Sequence, residues 1–131
     1  LVASKLHPDT YEKIFLLADF SYSTLEKVSL DGAFLRNINL SYVQFSYVSL
    51  SGADLTNANL EGAELKHVRA SLLGTDTKGG VFNFANFHKA LIEYSDFSSC
   101  SFEFANFDDA SLNQVVFRQA LFNESKFVVQ S

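Results

Sequence analysis

Large apolar side chains recur at every fifth position over two long stretches of the chain. We call these positions centres, and the first stretch has Phe20, Leu25, Leu30, Leu35, Leu40, Phe45, Leu50, Leu55, Leu60 and Leu65. The second stretch has Phe82, Phe87, Ile92, Phe97, Phe102, Phe107, Leu112, Phe117, Phe122 and Phe127. Two residues before each centre lies a smaller residue, most often alanine, as at Ala53 and Ala105. The pattern indicates one structural unit repeated along the chain, with two inward positions in each repeat.

A repeat of five residues fits neither regular secondary structure. Five residues advance an α-helix by about 140° beyond a full turn, so the centres would spread around the helix. In a straight strand the centres would alternate between the two faces because their spacing is odd. The chain must therefore turn a corner in every repeat. Gly32, Gly52, Gly62, Asn37 and Asn57 lie two residues after a centre, where a tight turn with positive φ favours Gly or Asn.

Short legs with regular corners close into a coil, and coils stacked at strand spacing pair their backbone groups along the axis. The segments A-D-L-T-N at 53–57, A-N-L-E-G at 58–62 and A-E-L-K-H at 63–67 resemble the repeats of pentapeptide-repeat proteins. This resemblance implies an all-β fold, a right-handed quadrilateral β-helix with four repeats per coil and the centres inside the shaft. The number of repeats then predicts about 5 to 5.5 coils.

The β-helix is expected to cover residues 18–129, with a register break near 66–81 where the five-residue spacing is lost. Leu65 and Leu72 are seven residues apart. We interpret Leu72 as a centre, Ala70 as the small residue before it, Thr77 as a weak polar centre, and the break as two extra residues that bulge outward. Stacked positions on adjacent coils then differ in sequence number by 22 across the break, instead of by 20.

Residues 1–17 are predicted to form an N-terminal cap on the first coil. Asp9 and Glu12 have the spacing of a capping box. Tyr11, Ile14 and Phe15 would form the apolar face of a short helix. Such a cap would cover strand edges and apolar cross-section that the first coil otherwise exposes.

The composition excludes several classes of protein. The 131 residues carry a net charge of −5 and a single cysteine, Cys100. The acidic balance argues against direct nucleic-acid binding, and no run of about 18 apolar residues predicts a membrane-spanning helix. One cysteine forms no internal disulfide. We expect a soluble, cytoplasmic domain, and because the chain begins at Leu1 we expect it to be part of a larger protein.

Catalytic motifs are missing from the sequence, which has no glycine-rich phosphate loop, His-Glu-x-x-His motif or nucleophile elbow. We therefore expect neither an enzyme nor a cofactor. Cys100 lies at the small inner position before Phe102, which predicts a buried side chain instead of a reactive thiol. The predicted offset of 22 puts His67 and His88 on one side of adjacent coils, but two histidines without a third ligand do not make a metal site, and no metal is predicted.

Function is therefore expected on the outer faces. With the offset above, one outward column contains Tyr22, Tyr42, Gly62, Phe84 and Phe104. The four aromatic residues of this column, with Tyr47 beside Tyr42 on the adjoining side, are the candidate partner-binding residues. Two interpretations stay open for the column, a docking stripe or a ladder of rings that only stabilises the coils. The favoured function is a non-catalytic protein–protein interaction or scaffold module, with a protein partner of unknown identity and no membrane.

A second outward column contains Asp54, Asp76 and Asp96 and bears on a rival function. Some pentapeptide-repeat proteins resemble duplex DNA in size and charge and bind topoisomerases such as gyrase. Three carboxylates on a short shaft give much less negative charge than such a mimic needs, and a solvated face is the simpler interpretation of the column. Further alternatives are the substrate-binding β-helix of a bacterial effector, such as a HECT-like ubiquitin ligase, and a homodimer through the C-terminal coil edge.

Overall fold

The computed structural model describes residues 19–71 and 79–127. The strands in these residues are β1 (Thr24–Glu26), β2 (Gln44–Ser46), β3 (Glu64–Lys66), β4 (Leu91–Glu93) and β5 (Ser111–Asn113). They form one parallel sheet in which consecutive strands are neighbours, so each coil adds one strand to this side. The predicted N-terminal cap, residues 1–17, lies outside the described residues.

Three further sides are held by single backbone bridges between successive coils. In chain order, side 1 stacks Asp19, Asn39, Asn59, Asn86, Asn106 and Lys126, and side 2 is the sheet. Side 3 stacks Ser29, Ser49, Arg69, Asp96 and Val116, and side 4 stacks Phe34, Asp54, Val81, Ser101 and Leu121. Four stacks at five-residue intervals confirm the predicted all-β, four-sided β-helix.

The predicted corners are present between all of these sides. Residues two positions after a centre have positive φ, as at Asn57 (φ 61°) and Gly52 (φ 68°), and also where the side chain is large, as at Tyr22 (φ 61°). After sides 1, 3 and 4 the turn is closed by the backbone N–H of the next small position. For example, the Ala53 N–H donates to the Leu50 carbonyl at 3.0 Å. We number the four corners after the side that precedes them.

The centres fill the interior of the shaft. Leu35, Leu50, Leu55, Leu60 and Leu65 are almost completely buried. In the second half, phenylalanine rings stack along the axis, with centroid distances of 5.1 Å for Phe82–Phe102, 4.7 Å for Phe87–Phe107 and 5.0 Å for Phe102–Phe122. Burial falls at the last described coil, where Leu112 is 38 % and Phe127 is 51 % exposed, because no described coil stacks on them.

The register break is larger than the sequence predicted. On either side of the break the sequence numbers of paired residues differ by 20, as for Phe45 and Leu65. Across the break Asp54 pairs with Val81 and Leu65 pairs with Ile92, so these numbers differ by 27. The predicted offset of 22 is wrong, and the insertion contains seven residues, not two.

Ala70 takes the position that the sequence assigned to Leu72. Its neighbour Arg69 pairs with Ser49 below and Asp96 above, which makes Ala70 a centre between Leu50 and Phe97. The insertion lies inside the following turn, since the Gly80 N–H donates to the Ala70 carbonyl at 2.8 Å and closes the same hydrogen bond as in other corners. Leu72 and Thr77 lie outside the described residues.

The small size of Ala70 follows from the rings around it. Phe82 contacts Phe97 and Phe102, with ring centroids 5.5 and 5.1 Å apart, so aromatic side chains fill this level of the shaft. A Cβ added to Gly80 would lie 2.9 Å from Phe82 Cε2 and 3.4 Å from Ala70 Cβ. Interiors pack at nearly crystalline density, so the large rings are compensated by the small residues beside them.

We expect Leu60→Ala to lower the free energy of unfolding by about 2 to 5 kcal/mol, because it leaves a cavity inside the shaft. Urea denaturation of the purified protein measures this cost. Leu112→Ala is the matched control, since Leu112 is also a centre but is 38 % exposed. An equal cost at the two positions would contradict the inward placement of Leu60.

Candidate interaction surface

The predicted single column of aromatic residues is two columns on different corners. Tyr22 stacks on Tyr42 at corner 1, with ring centroids 5.1 Å apart and planes 10° apart. Phe84 stacks on Phe104 at corner 4, at 5.0 Å and 7°. The observed offset is the reason, because it places Phe84 above Asn57 and leaves Lys89 above Gly62. The four residues therefore do not form one stripe.

A third aromatic ladder lies at corner 2 and was missed except for Tyr47. His67 stacks between Tyr47 and Tyr94, with centroid distances of 4.5 and 5.4 Å and nearly parallel planes. The sequence carried part of this signal, since Tyr47 and His67 are 20 residues apart, but the offset of 27 that brings Tyr94 into line comes from the pairing across the break. The wrong offset of 22 hid it.

The aromatic residues of the three ladders share a strained backbone conformation and an exposed position. Tyr22, Tyr42, Tyr47, Phe84, Tyr94 and Phe104 have φ between 51° and 61°, and their side chains are between 44 % and 74 % exposed. A left-handed conformation costs a residue with a Cβ roughly 1–2 kcal/mol. Ring stacking stabilises each pair by about 0.5–1.5 kcal/mol, which offsets part of this cost. Each stacked contact covers one face of both rings, and the rest of the rings remains exposed.

Gly62 provides the space into which the Tyr42 ring leans. A Cβ built on Gly62 would overlap the Tyr42 ring at Cε1, whereas at Gly52 nothing lies within 4 Å. Both glycines have positive φ, 65° and 68°. The corner 1 ladder therefore continues from Tyr22 through Tyr42 onto a glycine backbone.

The predicted acidic column is also divided between two sides. Asp54 pairs with Val81 on side 4, and Asp96 pairs with Arg69 on side 3. Asp76 lies outside the described residues. The prediction of one acidic column is wrong for Asp54 and Asp96, again because the insertion is seven residues long.

The aspartates and asparagines before the centres hold the chain in its corner. The Thr56 N–H donates to Asp54 Oδ1 at 3.0 Å, the Ser98 N–H donates to Asp96 Oδ1 at 2.9 Å, and the Ser41 N–H donates to Asn39 Oδ1 at 3.1 Å. Asn and Asp favour such turns because their short side chains accept from the backbone two residues on. The Asp54 and Asp96 carboxylates therefore serve to hold the backbone in its turns.

Asp54 also has a counter-ion on the coil below. Arg36 Nε donates to Asp54 Oδ2 at 2.6 Å. Burial raises the pKa of Asp54, but the hydrogen bonds from Thr56 and Arg36 outweigh it, so the pKa of this carboxyl lies below its ordinary value. The charge is balanced locally and adds little to a negative surface.

Other carboxylates are balanced in the same way between successive coils. Lys126 Nζ lies 2.9 Å from Asp108 Oδ2, and Lys66 Nζ lies 3.6 Å from Glu93 Oε1. His88 lies between two carboxylates: its Nδ1 is 3.7 Å from Glu61 Oε1, and its Nε2 is 3.5 Å from Asp109 Oδ2. His88 thus belongs to side 1 and His67 to corner 2, so the expectation that they share one side is wrong.

Cys100 is completely buried, as its small inner position predicted. Its thiol donates to the Ala70 carbonyl at 3.2 Å. Burial raises the pKa of Cys100 to about 12. Nowhere in residues 19–71 and 79–127 do three or more His, Cys, Asp or Glu side chains group as metal ligands would.

The last described coil presents an apolar end. Leu112 and Phe127, both centres, are more than one third exposed. The expected homodimer through this edge stays a prediction. Among the described residues no helix has the length and apolar character needed to span a membrane.

The family of the chain follows from a match to a family model. The model for pentapeptide repeats finds eight copies, which lie over residues 18–57, 35–69, 44–76, 81–119 and 100–128. The chain belongs to the pentapeptide-repeat family. A search of curated proteins found no significant match.

Two solved pentapeptide-repeat structures from cyanobacteria are similar to this one. HetL of Nostoc sp. strain PCC 7120, a protein involved in heterocyst differentiation regulation, is 24 % identical with a TM-score of 0.75, over 79 % of this chain and 46 % of its own. Rfr23 of Cyanothece 51142 is 17 % identical with a TM-score of 0.63, over 79 % of this chain and 63 % of its own. The chain spans less than two thirds of either protein, and the likeness shows the fold alone.

Gly62→Ala is expected to destabilise this pentapeptide-repeat protein more than Gly52→Ala. Both variants place a Cβ at positive φ, at a cost of about 1 kcal/mol. Gly62→Ala also displaces the Tyr42 ring from Tyr22, which adds about 0.5–1.5 kcal/mol. Chemical denaturation measures both, and in a Tyr42→Asn background the difference between the two variants should disappear. A difference that persists there would show that Tyr42 is not its cause.

The Cys100 thiol is expected to be unreactive toward a thiol reagent in the native protein at pH 8. A pKa of about 12 leaves roughly one thiolate in ten thousand at that pH, and the side chain is buried. In denaturant the thiol becomes exposed and should react fully. Cys100→Ala gives the background signal. Equal labelling rates in native and denatured protein would contradict the buried position.

Proposed function

We propose that this domain is a non-catalytic protein–protein interaction or scaffold module, and that its exposed aromatic ladders are the contact surfaces. The observation that carries the proposal is the set of aromatic rings held outward, half-exposed, on corners of a rigid shaft. Interface hot spots are enriched in aromatic residues, which give a large contact area at low cost in side-chain entropy. The ladders extend the role expected for Tyr22, Tyr42, Tyr47, Phe84 and Phe104 to His67 and Tyr94.

The chemistry of the described residues supports binding over catalysis. Cys100 is buried and protonated, and the aspartates before the centres accept hydrogen bonds from their own turns. The small cavity at the N-terminal end of the shaft, about 10 Å³, is lined by apolar side chains such as Leu30, Ile38 and Phe45. It has room for about one water molecule.

Corner 2 offers the most varied contact chemistry of the three ladders. A shallow groove beside it is lined by His67, Arg69, Tyr94 and Gln114, among others. Tyrosine and arginine are the residue types enriched at the centres of protein interfaces. Phe84 and Phe104 at corner 4 offer a purely apolar contact.

The alternative function, a DNA-mimicking, gyrase-binding protein, rested on a single acidic column, and the described residues do not form one. Asp54 and Asp96 face different sides, and Arg36, Lys66 and Lys126 neutralise neighbouring carboxylates. Mimicry of a duplex needs a long and nearly continuous negative surface. No feature of the geometry favours the other alternative, a module of an effector ligase.

Replacing each ladder by asparagine tests the proposal, because Asn tolerates positive φ and already occupies positions 37 and 57. The three variants are Tyr22→Asn with Tyr42→Asn; Tyr47→Asn with His67→Asn and Tyr94→Asn; and Phe84→Asn with Phe104→Asn. Each should keep the circular dichroism spectrum of the unmodified protein. At least one variant should fail to capture proteins that the unmodified domain captures from extracts of its source cells, as measured by quantitative mass spectrometry.

The matched control is Ser99→Asn with Gln119→Asn, which changes the same turn position at corner 3 without removing an aromatic ring. It should capture the same proteins as the unmodified domain. If all three ladder variants fold and still capture every specific protein, the aromatic ladders are not the contact surface. A domain that captures no specific protein would contradict the interaction role itself.

A further inference from the structure

Tyr22 and Tyr42 form a pair that differs from the other tyrosines in its surroundings. They occupy the same position on the first two described coils and are directly stacked, with ring centroids 5.1 Å apart. Tyr22 is 74 % and Tyr42 is 44 % exposed, so both phenols are open to solvent. Tyr47 and Tyr94 share a corner as well, but the His67 ring lies between them.

We propose that Tyr22 and Tyr42 are a site of oxidative cross-linking to dityrosine. A haem peroxidase with hydrogen peroxide removes one electron and one proton from each phenol and leaves two neighbouring tyrosyl radicals. The radicals couple through the ring carbons next to the hydroxyls, and a proton shift restores both aromatic rings. One carbon–carbon bond forms and two hydrogen atoms leave, and these reduce one hydrogen peroxide to two waters.

The β-helix brings the reacting rings together before oxidation. Positive φ at both residues (61° and 56°) directs the two side chains outward from corresponding positions on adjacent coils, and the coil spacing of about 4.8 Å keeps them adjacent. The missing Cβ at Gly62 lets the Tyr42 ring lie over this glycine, since the ring occupies the space that a Cβ would take. Coupling of adjacent radicals is then an intramolecular step, which a high effective concentration favours.

The cross-link would join the first two described coils. Phe20 and Leu25 are only partly buried there, whereas Leu35 and Leu40 further along are fully buried. Less buried parts of a repeat protein open more easily, because each coil is stabilised by contact with its neighbours. A covalent bond between residues 22 and 42 therefore acts as a staple between these two coils.

The test is peroxidase treatment of dilute protein that carries Tyr11→Phe, so that the four described tyrosines are the only ones. We expect dityrosine fluorescence in the monomer fraction, a mass lower by two hydrogen atoms, and a cross-linked peptide that contains positions 22 and 42. The rate should not depend on protein concentration. Amide hydrogen exchange over residues 19–30 should be slower in the cross-linked monomer.

Matched variants separate this pair from the other tyrosines. Tyr22→Phe should abolish the monomer signal while keeping the stacked ring, and Tyr47→Phe and Tyr94→Phe should keep the signal. Dityrosine that persists in the Tyr22→Phe monomer, or that forms only in dimers, would overturn the assignment. Unchanged hydrogen exchange after cross-linking would overturn its role as a staple.

Discussion

Backbone pairing between successive coils is the constraint on which the rest of this structure depends. The short extended segment on each side of a coil cannot form hydrogen bonds among its own N–H and C=O groups. Neighbouring residues therefore form these bonds with the coil below and the coil above. At side 4, the Asp54 N–H donates to the Ala33 carbonyl at 2.9 Å, and the Leu55 N–H donates to the Val81 carbonyl at 2.7 Å. Buried backbone groups left without partners are costly, so one coil cannot slide against the next.

The same pairing decides which side chains meet on the outside. Residues at corresponding positions lie about 4.8 Å apart on adjacent coils, which suits stacked rings and ion pairs. Lys66 and Glu93 form an ion pair of this kind, and Arg36 with Asp54 and Lys126 with Asp108 also join adjacent coils, from positions two residues out of line. The aromatic ladders stack as well, and their tyrosine and phenylalanine side chains stay between 44 % and 74 % exposed, which is why we propose them as contact surfaces.

The seven-residue insertion shows how the fold tolerates a change in length. It lies inside a turn, and the Gly80 N–H still reaches the Ala70 carbonyl at 2.8 Å, so the shaft continues above it with its pairing intact. Loops inserted at the surface cost little when the hydrogen bonds around them are kept. The length of the insertion decides which residues stack on one another, because it sets the side or corner on which every later residue lies.

The sequence by itself determined the repeat, the inward positions of residues such as Leu60 and Phe102, the corners and the buried state of Cys100. These properties are local, because side-chain size and turn chemistry act within each five-residue unit. Only the tertiary structure decided that Ala70 is a centre and that the ladders at corners 1, 2 and 4 are separate. Periodicity fits Ala70 either as a small position or as a centre. The choice depends on Phe97 above it and on the turn that Gly80 closes, and both are contacts between residues distant in the chain.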